Sequence, residues 1–158
     1  RSFGFEKLRN FDAGLWGKVK AEERAAATVK LEIFGSDNDP RALGDARRNL
    51  AGARVDRWVR LEQADVLERA APAASGVMVA NPPYGERISS REELALFYPK
   101  LGSALKRSFA GWRCHFFTAD LRLPKLLRLQ PARRVPLYNG ALECRLYEIR
   151  IVAGSNRK

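Results

Sequence analysis

The sequence predicts an α/β fold: a mainly parallel, doubly wound sheet with helices on both faces, closed by an antiparallel hairpin. Three observations carry this. Strand-like and helix-like segments alternate through the first three quarters of the 158 residues. The run Gly76-Val77-Met78-Val79-Ala80 is apolar throughout, as in strands buried on both faces. Near the end, Asn139-Gly140 separates two strand-like runs, a strong hairpin signal.

Phe11 to Ala27 reads as a helix, with Phe11, Leu15 and Val19 at helical spacing and an alanine run after Glu22-Glu23. Thr28 to Gly35 is a short alternating strand. Asp39-Pro40 opens a helix, Asp as the N-cap and Pro at the first helical position. Leu43, Ala46, Asn49 and Leu50 mark its period, and Gly52 ends it. Trp58 to Gln63 is a second strand, and Asp65 to Ala71 a short helical or turn segment. The third strand, Gly76–Ala80, runs straight into Asn81-Pro82-Pro83-Tyr84-Gly85. From about Ser90 a helix sets Leu94, Phe97, Tyr98, Leu101 and Leu105 on one face, and Pro99 should kink it. Trp112 to Thr118 is a fourth strand and Leu121 to Leu129 a short helix. Arg134 to Leu137 and Leu142 to Val152 close the chain as an antiparallel pair. With no repeat, low-complexity tract or linker, one domain is expected.

Hydrophobic residues make up 46% of the chain, enough for a real core. No apolar run is long enough to span a membrane, so no membrane partner is expected. The chain starts at Arg1 rather than Met, with no secretory pattern, so its start reads as cut. Cys114 and Cys144 have neither disulfide-framework nor zinc-ligand spacing, which fits a reduced, cytoplasmic chain. One histidine, His115, lies inside a strand and reads as a core or half-exposed residue; no metal site is expected. Trp16, Trp58 and Trp112 flank elements and read as core.

The net charge is +11, from 29 Lys+Arg against 18 Asp+Glu. Residues 106–158 hold 12 basic and 3 acidic residues, so most of the excess lies in the last third. Arginine outnumbers lysine 21 to 8, and its planar fork pairs with phosphate and stacks on bases. A GC-rich genome explains the arginine bias but not the lopsided distribution, which points to a polyanion, nucleic acid first.

In a doubly wound sheet, ligands bind outside the carboxyl ends of the strands. After the first strand come Asp37 and Asn38; Asp37 is placed either for ribose hydroxyls or for a capping turn, while Asp39 is a helix cap. After the second come Asp65 and Val66, where the carboxylate either accepts from an adenine amine or caps the next segment. After the third comes Asn81-Pro82-Pro83-Tyr84. Two prolines fix φ and remove two donors but leave their carbonyls as acceptors. The Asn81 side-chain oxygen and the Pro82 carbonyl can both accept from one exocyclic NH₂ group. Such an amine is a poor nucleophile because its lone pair is delocalised into the ring; two acceptors aim that lone pair. Tyr84 supplies a flat face for a base. Arg87 is either an RNA-phosphate contact or a solvated arginine, and Arg133-Arg134 read as RNA contacts given the local charge.

Asn81-Pro82-Pro83-Tyr84 resembles the fourth motif of S-adenosylmethionine-dependent amino-methyltransferases. Further segments narrow the resemblance: Phe3-Gly4-Phe5-Glu6-Lys7-Leu8, Phe11-Asp12, Trp16, Gly35-Ser36-Asp37 with Asp39-Pro40-Arg41-Ala42, Gly85-Glu86-Arg87, and the closing Arg133 to Cys144. Together they resemble the bacterial 23S ribosomal RNA guanine-N2 methyltransferases that carry a THUMP domain, a family also labelled N6-adenine DNA methylases. The resemblance implies a Rossmann-like class I methyltransferase fold, with Asp37 and Asn38 on the cofactor ribose, Asp65 and Val66 near its adenine, and Asn81, Pro82, Pro83 and Tyr84 gripping the target guanine. It implies S-adenosyl-L-methionine as cofactor and 23S rRNA as partner. Adenine N6 in DNA or RNA is the nearest rival target. A release-factor methylase fits the basic C-terminal third less well, and a non-catalytic RNA-binding remnant is the rival from another class.

One departure is specific. Such enzymes hold the methionine half of the cofactor on a glycine-rich loop after their first strand, and no Gly-x-Gly cluster occurs among the 12 glycines. In the family that strand precedes the segment matching Arg1, with the THUMP domain further upstream, and it sits mid-sheet between the strands represented here by Val29–Phe34 and Val77–Ala80. Residues 1–158 are therefore expected to form a partial catalytic domain with two unpaired inner strand edges, poorly folded and inactive in isolation.

Overall fold

The structure is a computed structural model that describes residues 2–24, 31–83 and 91–153. It divides into two compact units, Arg1–Glu32 and Ile33–Lys158.

In the first unit a 3₁₀ turn (Gly4–Lys7) precedes helix α1 (Ala13–Arg24). The helix starts two residues later than the hydrophobic pattern suggests because Asp12 caps it, its Oδ1 accepting from the Leu15 amide at 2.9 Å. The contact face also differs. Leu15 and Val19 are exposed, and Phe5 instead meets the Trp16 ring edge-on, the centroids 5.1 Å apart. Phe3 stacks on Phe5, and Phe11 lies 6.0 Å from it. Aromatic rings bury more surface than a Leu–Val stripe, so the cluster takes the contact.

Among its described residues the second unit carries six strands and three α-helices: β1 (Ile33–Asp37), α2 (Pro40–Gly52), β2 (Val59–Gln63), β3 (Gly76–Ala80), α3 (Arg91–Ser108), β4 (Trp112–Thr118), α4 (Leu123–Leu127), β5 (Arg133–Asn139) and β6 (Leu142–Arg150). Asp39 caps α2 as expected, accepting from the Arg41 amide at 2.8 Å. The α3 helix continues through Pro99. The α4 helix is shorter than its apolar run because Arg128 adopts φ +54°, a left-handed stop. In the hairpin β5 and β6 pair up to Asn139↔Leu142, so the tip is Gly140-Ala141 rather than Asn139-Gly140. Gly140, at φ +62°, takes the first central position, which a type II′ turn gives to glycine.

The strands form two sheets: β1 with β2, parallel, and β3-β4-β6-β5, in which β3 and β4 are parallel and the hairpin is antiparallel. Among the described residues nothing pairs with the outer edge of β1 or of β3. The break falls where the sequence places a central strand. It also corrects one expectation. The β3 strand is not buried on both faces: Val77 is 53% and Val79 74% exposed, while Met78 and Ala80 pack on the core. The α3 and α4 core covers the Met78 and Ala80 face, and the Val77 and Val79 face is left open.

That core lies between α3, α4 and the four-stranded sheet. Leu94, Tyr98, Leu101 and Leu105 of α3 pack on Trp112, Cys114 and Phe116 of β4 and on Tyr147 and Ile149 of β6, with Leu123 and Leu127 of α4 closing one side. Trp112 is core as expected; its indole lies over Gly76, where a Cβ would sit 2.7 Å from the ring, and its Nε1 donates to the Ala73 carbonyl at 2.9 Å. Trp16 and Trp58 are half-buried. Both cysteines are free and buried. The tightest approach is between helices: a Cβ at Gly102 would run into the Leu127 carbonyl oxygen. Gly102→Ala should therefore destabilise the fold by about 1–3 kcal/mol through overpacking, against the roughly 1 kcal/mol gain that alanine brings in an exposed helix. Urea unfolding of the two proteins checks the sign.

Candidate active site

The parallel pair β1–β2 brings together the two acidic strand ends. Asp37 pairs in register with Gln63 as the last residue of β1, two residues beyond the end expected for that strand. The Ala64 amide donates to the Asp37 carbonyl at 3.1 Å, and the Gln63 side chain to the Asn38 carbonyl at 3.1 Å. These bonds fasten Asn38 to the start of the Asp65-Val66 segment. Asp37 Oδ1 accepts from the Asp39 amide and Asp65 Oδ1 from the Leu67 amide, each at 2.8 Å. Both carboxylates thus cap turns, yet both are exposed and each keeps a second oxygen for a ligand. These acceptors suit the hydroxyls of a ribose and the amine of an adenine. The described residues supply no glycine-rich cradle for the methionine half of such a cofactor.

The parallel pair β3–β4 carries the second group. Asn81 follows β3 directly and is exposed, Pro82 is buried and Pro83 half-buried. Tyr98, fully buried on α3, donates its hydroxyl to the Pro83 carbonyl. The turn is thereby fastened to the core, while no described residue donates to the Pro82 carbonyl. Asp120 follows β4 with its side chain only 10% exposed. Its amide donates to the Thr118 hydroxyl at 3.0 Å, and its carboxylate accepts two bonds from the Arg122 guanidinium and one from the Arg122 amide, each at 2.9 Å. Sequence reading missed both Tyr98 and Asp120. The first looks like one more apolar residue on the α3 stripe. The second was legible, since it ends a strand as Asp37 does. Burial and the Asp120 carboxylate push the Tyr98 hydroxyl up to about 12, Arg122 opposing, so it stays a donor.

Tyr84 and Arg87 lie outside the described residues. Arg133 and Arg134 are exposed on the outer strand β5. The register Ala80↔Phe116, Phe116↔Tyr147, Tyr147↔Arg134 puts Arg134 level with the end of β3. Three inter-strand spacings, about 14 Å, separate them. His115 is half-buried, its Nε2 3.9 Å from a Glu148 oxygen and its Nδ1 without a partner. Among the described residues no group of three or more His, Cys, Asp or Glu is arranged to hold a metal.

Acidic residues end one parallel pair and an Asn-Pro-Pro turn ends the next strand, the pieces that the resemblance to methyltransferases implies. The family comparison agrees: residues 3–148 match the RMKL-like methyltransferase domain (UPF0020), and the chain belongs to that family. It is 35% identical over 161 residues to the ribosomal RNA large subunit methyltransferase K/L of Shewanella baltica (strain OS195), covering 99% of this chain and 23% of the relative. The chain thus spans about a quarter of that protein. Among solved structures it is similar to SMU.472 complexed with SAH, with TM-score 0.77, 28% identity and coverage of 100% of this chain and 41% of that one. It is also similar to a predicted N6-adenine-specific DNA methylase from Listeria monocytogenes str. 4b F2365, with TM-score 0.73, 26% identity and coverage of 94% and 38%.

Two buried groups make stability fall at high pH. Tyr98 rises from 10.0 to about 12 and Cys114, by burial, from 9.0 to about 12. Each binds its proton more tightly folded than unfolded, so the stability they confer is intact below pH 9 and is lost as pH rises towards 12. The urea midpoint should drop between pH 8 and pH 11, and drop less in Tyr98→Phe. An equal drop in both proteins would show that Tyr98 contributes nothing.

Proposed function

We propose that the chain is the catalytic part of a methyltransferase that moves the methyl group of S-adenosyl-L-methionine onto the exocyclic N2 amine of a guanine in 23S rRNA. The observation that carries the reading is the Asn81-Pro82-Pro83 turn: an exposed Asn beside a Pro82 carbonyl to which no described residue donates, held from behind by Tyr98. Two acceptors at the end of a parallel strand suit an NH₂ group, and family membership supports methyl transfer. The K/L relatives, named for ribosomal RNA of the large subunit, support the substrate class.

Asp37 and Asn38 would hold the cofactor ribose, and Asp65 with Val66 its adenine. SAH in the related SMU.472 structure supports this choice of cofactor. The sulfonium cofactor supplies an electrophilic methyl group. Asn81 Oδ1 and the Pro82 carbonyl would accept hydrogen bonds from the two amine N–H groups and aim the nitrogen lone pair at the methyl carbon. A nitrogen–carbon bond forms as the carbon–sulfur bond breaks, and one amine proton leaves to solvent. Positioning carries most of the rate, since well-oriented intramolecular reactions gain up to about 7–11 kcal/mol. Tyr84 would stack on the flipped base, and Arg87, Arg133 and Arg134 would meet RNA phosphates. The glycine loop for the methionine half, and a THUMP domain, would be supplied by residues beyond those of this chain; residues 1–158 are then a partial catalytic domain.

A second reading, adenine N6, is favoured by the name of the Listeria neighbour. Nucleoside analysis of labelled product separates N2-methylguanine from N6-methyladenine. Asn81→Ala in the full-length enzyme should lower methyl transfer to naked 23S RNA at least about 100-fold, with S-adenosylmethionine binding retained by calorimetry. Unchanged turnover would remove Asn81 from the mechanism. Absence of any cofactor binding by the full-length protein would favour a non-catalytic RNA-binding remnant.

A further inference from the structure

The β5–β6 hairpin outruns the rest of its sheet. The last pair of β4 with β6 is Thr118↔Arg145. The hairpin ladder goes on through Leu137↔Cys144, Tyr138↔Glu143 and Asn139↔Leu142 before the Gly140-Ala141 tip. Three further pairs at about 3.4 Å each carry the tip about 10 Å past the end of β4. Since β4 is parallel to β3, this projection is beyond the carboxyl edge, the edge on which Asn81 stands.

Near the tip Tyr138 is 70% exposed. Alternation along β5 puts Arg134, Pro136 and Tyr138 on one face and Arg133 on the other. Neither Arg133 nor Arg134 makes an ion pair among the described residues, and both are exposed. The one acidic neighbour opposite Tyr138, Glu143, is neutralised by Arg145 at 2.6 Å. The arm is therefore net basic with a large ring held out in water.

We propose that this hairpin is a docking arm for single-stranded RNA, with Tyr138 stacking on a base and Arg133 and Arg134 meeting phosphates on either side of the strand. The inference rests on the RNA reading of the site and extends it to a residue and a surface which that reading did not use. The chemistry favours RNA over protein. The edge strand β5 is the place where a partner strand would add, but Pro136 interrupts its row of N–H donors. A basic rim around an aromatic ring is the arrangement that takes a nucleic-acid strand: the cations follow the backbone and the ring accepts any base face. The ladder pairs hold the arm in shape before RNA arrives, so less ordering opposes binding.

The test is binding without cofactor, by fluorescence anisotropy of a labelled, mixed-sequence single-stranded RNA oligonucleotide with the full-length protein. Tyr138→Ala should weaken binding about tenfold, as loss of one stacked base does, and Tyr138→Phe should restore it. Arg133→Gln with Arg134→Gln should weaken binding and flatten its salt dependence by about two phosphate contacts. Wild-type affinity in Tyr138→Ala, equal loss in Tyr138→Phe, or no binding of the oligonucleotide by wild type would each overturn the proposal. Circular dichroism confirms that the exposed variants fold. Because no methyl is transferred in this assay, its result is separate from the reaction: a product other than N2-methylguanine with Tyr138-dependent binding would sink the guanine reading and leave the arm standing.

Discussion

The buried phenol of Tyr98 joins the core to the site. Its ring is part of the apolar face with which α3 covers β4 and β6. Its hydroxyl is the donor that the Pro83 carbonyl receives. A turn with two prolines cannot fasten itself through its own amides, because two of them are missing. The fastening has to come from a side chain that reaches the turn from packed structure, and α3 supplies it. The same helix approaches α4 so closely at Gly102 that a methyl group does not fit. The position of the Asn-Pro-Pro turn is therefore set by how α3 seats on the sheet, and ultimately by apolar burial. Pro83 serves the fold, while Asn81 stays exposed and no described residue donates to the Pro82 carbonyl.

The strand ends show a second economy. Asp37 and Asp65 each use one carboxylate oxygen to stabilise a turn and keep the other exposed. Of the two readings open at the level of sequence, the structure shows the cap, which fixes each carboxylate and leaves its second oxygen exposed. Asp120 is the contrasting case. Arg122 engages both of its oxygens, so it sets local charge near Tyr98 rather than offering a free acceptor.

Much of this was legible from residues whose local chemistry has one solution. Asp39-Pro40 starts α2 as a cap and a first-turn proline must, and the apolar run Gly76–Ala80 is a strand to the residue. The Asn-Pro-Pro turn lies directly after a parallel strand, at the carboxyl edge that the sequence reading singled out. Less legible was anything decided by a distant partner. Leu15 and Val19 have helical spacing, but Phe5 and Trp16 outbid them for contact. Val77 and Val79 read as buried because a strand apolar throughout usually has packed layers on both faces, and here only the Met78 and Ala80 face meets the core. Tyr98 reads as a core aromatic; only the fold shows that its hydroxyl finds the Pro83 carbonyl, 15 residues back.

The division of the strands into two hydrogen-bonded sets bears on cooperativity. Ladder bonds transmit order within β1–β2 and within β3-β4-β6-β5, and among the described residues none crosses from one set to the other. The two carboxylates suited to a nucleoside stand on the first set and the Asn-Pro-Pro turn on the second. The ladder therefore leaves the opening of one set uncoupled from that of the other. A ligand that touches both sets gains affinity only from molecules in which both are ordered at once, and so adds the coupling that the backbone lacks. In such a molecule, the thermodynamic link between its two halves resides partly in what it binds.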